Sequence, residues 1–149
     1  MKRVLLSMVA CMMALVMQAQ RVEVRYFHGK QRCITCRSIE KCAKEVLEES
    51  FASQQKNKKI SMKVIDFSTE QGKPVAADHK VSFSSLFIVK IDKNGKETRT
   101  DLTRQGFQYA KRNPAEFKKI VKEEITKAVS YTTSPSPRDM RSSRMPSSA

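Results

Sequence analysis

The chain has 149 residues and a formal net charge of +14, from 29 lysine and arginine residues against 15 acidic ones. A basic protein suits nucleic acid when its charges gather on one face with aromatic side chains between them. Here the basic residues are scattered, only 7% of the residues are aromatic, and tryptophan is absent. The composition therefore argues against nucleic acid and favours a solvated basic surface.

The N-terminal end has the pattern of an export signal. Residues 1–19 begin with Lys2 and Arg3, continue as an apolar run over residues 5–17, and reach a small residue at Ala19. The apolar run is well short of the roughly 20 residues that span a bilayer. We therefore expect cleavage after Ala19, no transmembrane segment in the mature chain, and a periplasmic or secreted protein.

The C-terminal end differs from the rest in another way. Residues 130–149 are dominated by serine, proline and arginine, a composition typical of disorder. Residues 134–139 and 143–149 also resemble a sequencing adapter translated in frame, which predicts an assembly artefact that cuts the natural chain near Val129. A genuine flexible tail is the alternative. Residues 20–129 remain as one predicted domain, large enough to bury its own core.

The first half of this domain alternates strand and helix patterns. Residues 22–27 are β-branched and aromatic and predict a strand. From Cys36 onward, apolar residues at helical spacing predict an amphipathic helix. The stripe consists of Ile39, Cys42, Ala43, Val46 and Leu47. Polar residues 53–59 then predict a loop, and residues 60–67 a second strand.

The second half predicts a hairpin between two helices. Gly72-Lys73-Pro74 marks a turn before a short helix that ends near His79. The apolar residues 86–91 predict a central strand, and Asn94-Gly95 predicts a type I′ turn into a polar edge strand at 98–102. Asn113-Pro114 suits the start of the last helix. The order is β-α-β-α-β-β-α, which indicates a mixed sheet.

Residues 22–129 resemble the thioredoxin fold. The resemblance rests on Val24-Arg25-Tyr26-Phe27 leading to Cys33-Ile34-Thr35-Cys36, on residues 79–87, and on Lys93-Asn94-Gly95. It implies an α/β, thioredoxin-like fold with a mixed central sheet of about four strands flanked by helices. It also implies that a loop faces the cysteines, formed by Phe83, Ser84 and Ser85. Ser84 stands where thioredoxins carry a cis-proline.

A narrower resemblance comes from the segment before the cysteines. Tyr26-Phe27-His28-Gly29, followed by Arg32-Cys33 and Cys36-Arg37, resembles the small exported ArsF-type proteins. Those proteins are described as a nitrophenyl compound nitroreductase subunit. Nitro reduction needs a flavin or a similar cofactor. No Gly-rich phosphate loop stands in this sequence, so we expect no cofactor and give the nitroreductase role little weight.

The pair Cys33 and Cys36 has the chemistry of a redox dithiol. A helix N-terminus favours a thiolate, and Lys30, Arg32 and Arg37 add positive charge nearby in the sequence. We expect Cys33 to be the exposed nucleophile and Cys36 the shielded resolving residue. These two are the predicted catalytic residues, and the three basic residues are predicted to tune the thiolate, together with a histidine, His28.

Other interpretations of the cysteines stay open, namely binding of a soft metal or an arsenical, and an inert structural disulfide. A metal site would combine the pair with Cys42 and His28. Cys42, however, falls on the opposite side of an ideal helix from Cys33, within the apolar stripe, so we expect a buried thiol and no metal. His28 either tunes the thiolate or fills space beside it. Asp66 could accept a proton from Cys36, but we expect it to face a loop. His79 is expected to lie on the surface or to serve in packing.

The sequence thus predicts an exported thiol–disulfide oxidoreductase. Its partner would be a protein or a small thiol or disulfide, or a membrane electron donor. The alternative is a non-enzymatic module that uses the same cysteines, as a subunit of a redox complex or as a binder of a soft metal or arsenical.

Overall fold

The computed structural model describes residues 19–130; the predicted export signal up to residue 18 and the predicted tail from residue 131 lie outside that range. Four strands and five helices follow one another in the described part. They are β1 (Arg21–His28), α1 (Ile34–Ser50), α2 (Ala52–Lys56), β2 (Ile60–Asp66), α3 (Gly72–Asp78), β3 (Ser85–Ile91), β4 (Glu97–Asp101), α4 (Thr103–Tyr109) and α5 (Pro114–Ser130). None of the helices within residues 19–130 is long and apolar enough to cross a membrane.

The four strands form one mixed sheet in the order β2-β1-β3-β4. β1 runs parallel to β2, whereas β3 runs antiparallel to both β1 and β4. The sequence pattern predicted the parallel pair of β1 and β2 from the β-α-β start and the antiparallel pair of β3 and β4 from the hairpin. The antiparallel pairing of β1 with β3 was not predicted. The predicted α/β class with a mixed sheet of four strands is confirmed, with β3 inside the sheet and β4 at its edge.

One face of the sheet carries the main hydrophobic core. Val22, Val24 and Tyr26 alternate along β1 and pack with the apolar sides of α1 and α5. The predicted stripe of α1 is buried throughout, from Ile39 to Leu47. Removing a large apolar side chain fully from water contributes about 1.5–3 kcal/mol to stability. The buried contacts on this face therefore fix how α1 lies on the sheet.

The other face of β1 is charged. Arg25 is 8% exposed and forms ion pairs of 2.7 Å with both Glu23 and Glu97. His79, which follows α3, packs on the ring of Phe27 at 4.9 Å between ring centres. β1 therefore buries the carboxylate of Glu23 within an ionic cluster with Arg25.

Two helices depart from the predicted order. Residues 53–59 were expected to form a loop, yet α2 occupies Ala52–Lys56. α4 follows β4 directly and was not predicted. Its Gly106 lies so close to α1 that an added Cβ would stand 2.9 Å from Ile39 Cδ1. Tertiary packing of this kind stabilises a one- or two-turn helix that local propensity leaves unformed.

The hairpin forms as predicted, but its predicted turn type is wrong. A type I′ turn needs positive φ at both central residues, and here Gly95 has φ +80° while Asn94 does not. The side chain of Asp92 accepts hydrogen bonds from the backbone N–H of Asn94 (2.8 Å) and Lys96 (3.0 Å). These hydrogen bonds stabilise a loop that is longer than the predicted two-residue turn.

Candidate functional site

A disulfide between Cys33 and Cys36 lies at the start of α1, with 5.1 Å between the two Cα atoms. Cys33 is the N-cap residue, and its Sγ accepts a 3.0 Å hydrogen bond from the backbone N–H of Cys36. The sulfur at position 33 therefore sits at the positive end of a 17-residue helix with no acidic residue in its first turn. A thiolate released there would be stabilised by that N–H and by the helix dipole.

The two cysteines differ in accessibility. Cys33 is exposed, whereas Cys36 is only 6% exposed. The difference follows from their positions, because Cys33 precedes the helix and Cys36 begins the side that faces the sheet. An incoming sulfur could reach Cys33 but not Cys36, which is the division of labour that the sequence predicted for the pair.

Tyr26 connects the disulfide to the sheet. Its side chain is fully buried at the end of β1, and its hydroxyl donates a 2.8 Å hydrogen bond to the carbonyl oxygen of Cys36. Burial raises the pKa of Tyr26, while interaction with the Ser84 hydroxyl lowers it. Tyr26 thus touches both the first turn of α1 and the loop before β3. Sequence reasoning did not single it out, although a buried tyrosine needs a hydroxyl partner.

The residues of the predicted opposing loop precede β3 and extend into its first residue. Ser84 and Ser85 are buried, and Phe83 is 58% exposed. No peptide bond within residues 19–130 is cis, so the bond before Ser84 is trans. The hydroxyl of Ser85 donates to the carbonyl oxygen of Phe83 at 2.9 Å, which holds the loop in a compact turn. The loop thus adopts this turn without a cis peptide bond.

Three exposed apolar side chains follow Cys33 or lie in the loop before β3 and in α4. Ile34 follows Cys33 directly and is 69% exposed. Phe83 is 58% exposed, and its ring centre lies 6.4 Å from that of Phe107 in α4, which is 42% exposed. We call Ile34, Phe83 and Phe107 the apolar rim. Exposed apolar side chains that gather in a patch are a feature of binding surfaces.

The four predicted tuning residues fall into two groups. Lys30 and Arg37 are exposed, and neither forms an ion pair with an acid among residues 19–130. Arg32 instead forms a 2.6 Å ion pair with Glu40 of α1, and its other nitrogen contacts the ring of His28. His28 is 6% exposed and its second ring nitrogen donates to the carbonyl oxygen of Gly29 at 3.0 Å.

Cys42 takes no part in the disulfide site. It is a free thiol, 4% exposed, within the core face of α1, and burial raises its pKa. Its nearest hydrogen-bonding partner is the carbonyl oxygen of Ala110 at 4.0 Å. Among residues 19–130 no three histidine, cysteine or acidic side chains come together as a group that could hold a metal ion. The expected position of Cys42 in the core is confirmed.

Asp66 and His79 lie in the roles expected of them. The carboxylate of Asp66 accepts hydrogen bonds from the N–H and hydroxyl groups of Ser68, which lower its pKa and turn it toward its own loop. His79 is packed under the sheet, where its ring nitrogens contact Arg25 and the carbonyl oxygen of Val75. Burial lowers the pKa of His79.

Comparison with known proteins finds similarity in structure alone. No family model matches the chain, and no curated protein matches it either. A solved thioredoxin from Thermus thermophilus is 19% identical, with a TM-score of 0.45 over 72% of this chain and 76% of that one. A thioredoxin mutant from Entamoeba histolytica is 19% identical, with a TM-score of 0.38 over 67% and 91%. An uncharacterised thioredoxin-like protein from Porphyromonas gingivalis is 16% identical, with a TM-score of 0.35 over 72% and 77%.

Proposed function

We propose that this protein is an exported thiol–disulfide oxidoreductase in which Cys33 exchanges with the substrate and Cys36 resolves. The observation that carries the proposal is the disulfide itself. Its exposed sulfur caps the N-terminus of α1, and its other sulfur is buried beneath. An inert structural disulfide needs neither an exposed reactive sulfur nor a helix N-terminus to stabilise it as a thiolate.

The exchange proceeds by two sulfur attacks. A substrate thiolate attacks Sγ of Cys33, a bond forms between those sulfurs, and Cys36 leaves as a thiolate that takes up a proton. A second substrate thiolate then attacks the substrate sulfur of the mixed disulfide, so that Cys33 leaves as a thiolate. The substrate is oxidised by two electrons and the pair is reduced. In the reverse direction Cys33 attacks a substrate disulfide and Cys36 resolves the mixed disulfide.

The groups around Cys33 suit its part in both directions. The backbone N–H of Cys36 already points at Sγ of Cys33 at 3.0 Å, so the developing negative charge meets a donor that is in place before the reaction. Lys30 and Arg37 add positive charge at the exposed side. Such surroundings lower the pKa of a thiol from about 8.5 toward the range of reactive cysteines.

The apolar rim supports a protein as the partner. A small thiol such as glutathione needs access to Cys33 only, whereas the exposed side chains of Ile34, Phe83 and Phe107 offer apolar contacts to a protein chain. A membrane electron donor would meet the same surface when the pair is recycled. Export is supported by the signal pattern of residues 1–19 and by the persistence of disulfides outside the cytosol.

We include the narrower relationship to the ArsF-type proteins in the proposal, on the strength of Tyr26-Phe27-His28-Gly29 and the basic residues that flank the cysteines. In that setting the protein would pass electrons through its dithiol as part of a redox complex. Reduction of nitro compounds by this chain itself is not proposed.

The proposal is tested by redox titration of the purified protein in glutathione buffers, together with the variants Cys33→Ser and Cys36→Ser. We expect a reversible two-electron couple in the wild type. We also expect a mixed disulfide with substrate to be trapped through Cys33 in the Cys36→Ser variant. A pair that stays oxidised across the titration, or a Cys33 alkylated no faster than an unperturbed thiol, would contradict the proposal.

A further inference from the structure

One side chain, that of Arg32, joins the loop before the disulfide to α1. Arg32 stands immediately before Cys33, and its guanidinium group forms a 2.6 Å ion pair with Glu40, two turns into the helix. Glu40 is 9% exposed, which is unusual for a carboxylate and indicates that its position is fixed. Its second oxygen accepts from Lys44 at 2.7 Å.

His28 fixes the same guanidinium group from the other side. A carbonyl oxygen accepts only, so the ring nitrogen that contacts Gly29 must carry a proton. A guanidinium group donates only, so the other ring nitrogen of His28 must accept from Arg32. Arg32 is therefore held between an acid on α1 and an acceptor at the end of β1, and it has little freedom to turn toward Cys33.

This arrangement determines which group the positive charge of Arg32 interacts with. Arg32 is the basic residue nearest to Cys33 in the chain, yet its charge is balanced by Glu40 across a partly buried contact. The charged and titratable groups around the start of α1 are Lys30 and Arg32 of the loop, Arg37, Glu40 and Lys44 of α1, and Tyr26, His28 and Asp66 near the strand ends. Of the acids in this set, Glu40 is the one paired with Arg32.

We propose that Glu40 is a positioning residue that sets the acidity of Cys33 through Arg32. By holding the guanidinium group on α1, Glu40 withholds its charge from the thiolate of Cys33 and keeps the disulfide less oxidising than it would be with Arg32 free to approach Cys33. The proposal rests on the redox function of the pair. It assigns a role to a residue that neither touches sulfur nor faces the substrate.

The variant Glu40→Gln tests the sign of the effect. It keeps the shape of the side chain and removes its charge, so Arg32 is released from its ion pair and its charge becomes available to the thiolate. We expect the pKa of Cys33, taken from the pH profile of its alkylation in the reduced protein, to fall by about half a unit. The reduction potential should rise in the same variant, because a more stable thiolate favours the reduced pair.

The matched control is Glu48→Gln, an exposed position on the same helix with the same change of charge. It should leave both the pKa and the potential of the pair as they are. A shift of equal size in Glu48→Gln would mean that net charge alone is responsible, and would overturn the proposal.

A double-mutant cycle separates action through Arg32 from direct action on sulfur. If Glu40 works through Arg32, then Glu40→Gln should shift the pKa of Cys33 by much less when Arg32 is already glutamine. An equal shift in both backgrounds would show that Glu40 acts on the thiolate directly, and the proposal would be wrong. If Arg32→Gln or the double variant fails to fold, the comparison of Glu40→Gln with Glu48→Gln still tests the sign of the effect.

Failure of this inference can be told from failure of the proposed function. A wild-type protein without a reversible couple would end both. A redox-active wild type whose Glu40→Gln variant keeps the same pKa and potential would end the role of Glu40 alone.

Discussion

The hydroxyl group of Tyr26 donates a 2.8 Å hydrogen bond to the carbonyl oxygen of Cys36. The contact joins the end of β1 to the first turn of α1 from within the core, where Tyr26 is fully buried. Since Tyr26 also meets the Ser84 hydroxyl, one side chain sets the disulfide relative to both the sheet and the opposing loop. The redox site is therefore supported from beneath by the sheet.

Removing this hydroxyl with Tyr26→Phe should lower the free energy of unfolding of the oxidised protein by about 1 kcal/mol, the usual net contribution of one hydrogen bond. Chemical denaturation measures the change. Tyr109→Phe is the control, because Tyr109 is half-buried and its hydroxyl accepts from the exposed side chain of Gln108. Equal stability of the Tyr26→Phe variant and the wild type would show that the contact contributes nothing.

Loss of an aromatic side chain from the apolar rim should affect protein substrates selectively. In Phe83→Ser, exchange with a reduced, unfolded protein should slow roughly tenfold, as expected when about 1.4 kcal/mol of apolar contact is lost. Exchange with dithiothreitol should keep its rate, because a small dithiol needs access to Cys33 alone. Stopped-flow measurement of both rates makes the test, and an equal slowing of both would contradict a docking role for the rim.

The ion pair between Arg25 and Glu97 should make the stability of the protein depend on pH in the acidic range. Arg25, with help from Arg99, lowers the pKa of Glu97 to about 2 from its usual 4.5. The folded state thus binds a proton at this carboxyl less readily than the unfolded state. Its stabilising contribution is complete above about pH 4.5 and is lost as the pH falls toward 2.

We therefore expect Glu97→Gln to be less stable than the wild type at pH 7, and the difference between them to shrink between pH 5 and pH 2. Urea unfolding at a series of pH values gives this difference directly. Glu123→Gln, at an exposed position of α5, supplies the reference for a change of charge outside the cluster. A difference that stays constant over this range would rule out the ion pair as its cause.

Gly72 should not tolerate a larger residue. A Cβ at this position would stand 1.9 Å from the carbonyl oxygen of Asp66, so Gly72→Ala requires the start of α3 to move away from the end of β2. Overpacking of this kind costs about 1–3 kcal/mol of stability. Because the added Cβ would meet backbone atoms of Asp66, which cannot turn aside as a side chain can, we expect a cost at the upper end of that range.

Gly95→Ala is the comparison. Gly95 has φ +80° with open space around it, so alanine there meets backbone strain of about 1 kcal/mol but no collision. Thermal unfolding should rank Gly72→Ala well below Gly95→Ala. The reverse order would mean that the close approach at Gly72 relaxes easily.

Much of the site could be predicted because its determinants are local in sequence. The spacing of Cys33 and Cys36 places both at one helix start, and the apolar stripe of α1 turns Cys42 toward the core. Strand and helix periods likewise gave the order of the main elements and the mixed sheet. Each of these predictions depends on residues within a few turns of one another.

What could not be predicted depends on residues far apart. The partner of Tyr26 is a backbone carbonyl on the next element, and the partner of Arg32 is a glutamate that the helical pattern places near the boundary of the polar side. In the sequence, Glu40 follows Ile39 and resembles an ordinary surface acid. Its pairing with Arg32 depends on the contact between α1 and the loop before Cys33, which only the folded structure shows. The helix α4 exists because Gly106 packs against Ile39 and Phe117.

The sequence by itself determined the chemistry of this protein: two cysteines at a helix N-terminus, after a strand, in a chain whose periodicity specifies an α/β sheet. Only the tertiary structure decided how that chemistry is set. It exposed Cys33, buried Cys36, joined the Cys36 carbonyl oxygen to the Tyr26 hydroxyl, left the apolar rim exposed, and paired the charge of Arg32 with Glu40. The reason is physical, since helix position follows from covalent neighbours, whereas burial and ion pairing depend on which distant side chains the fold brings into contact.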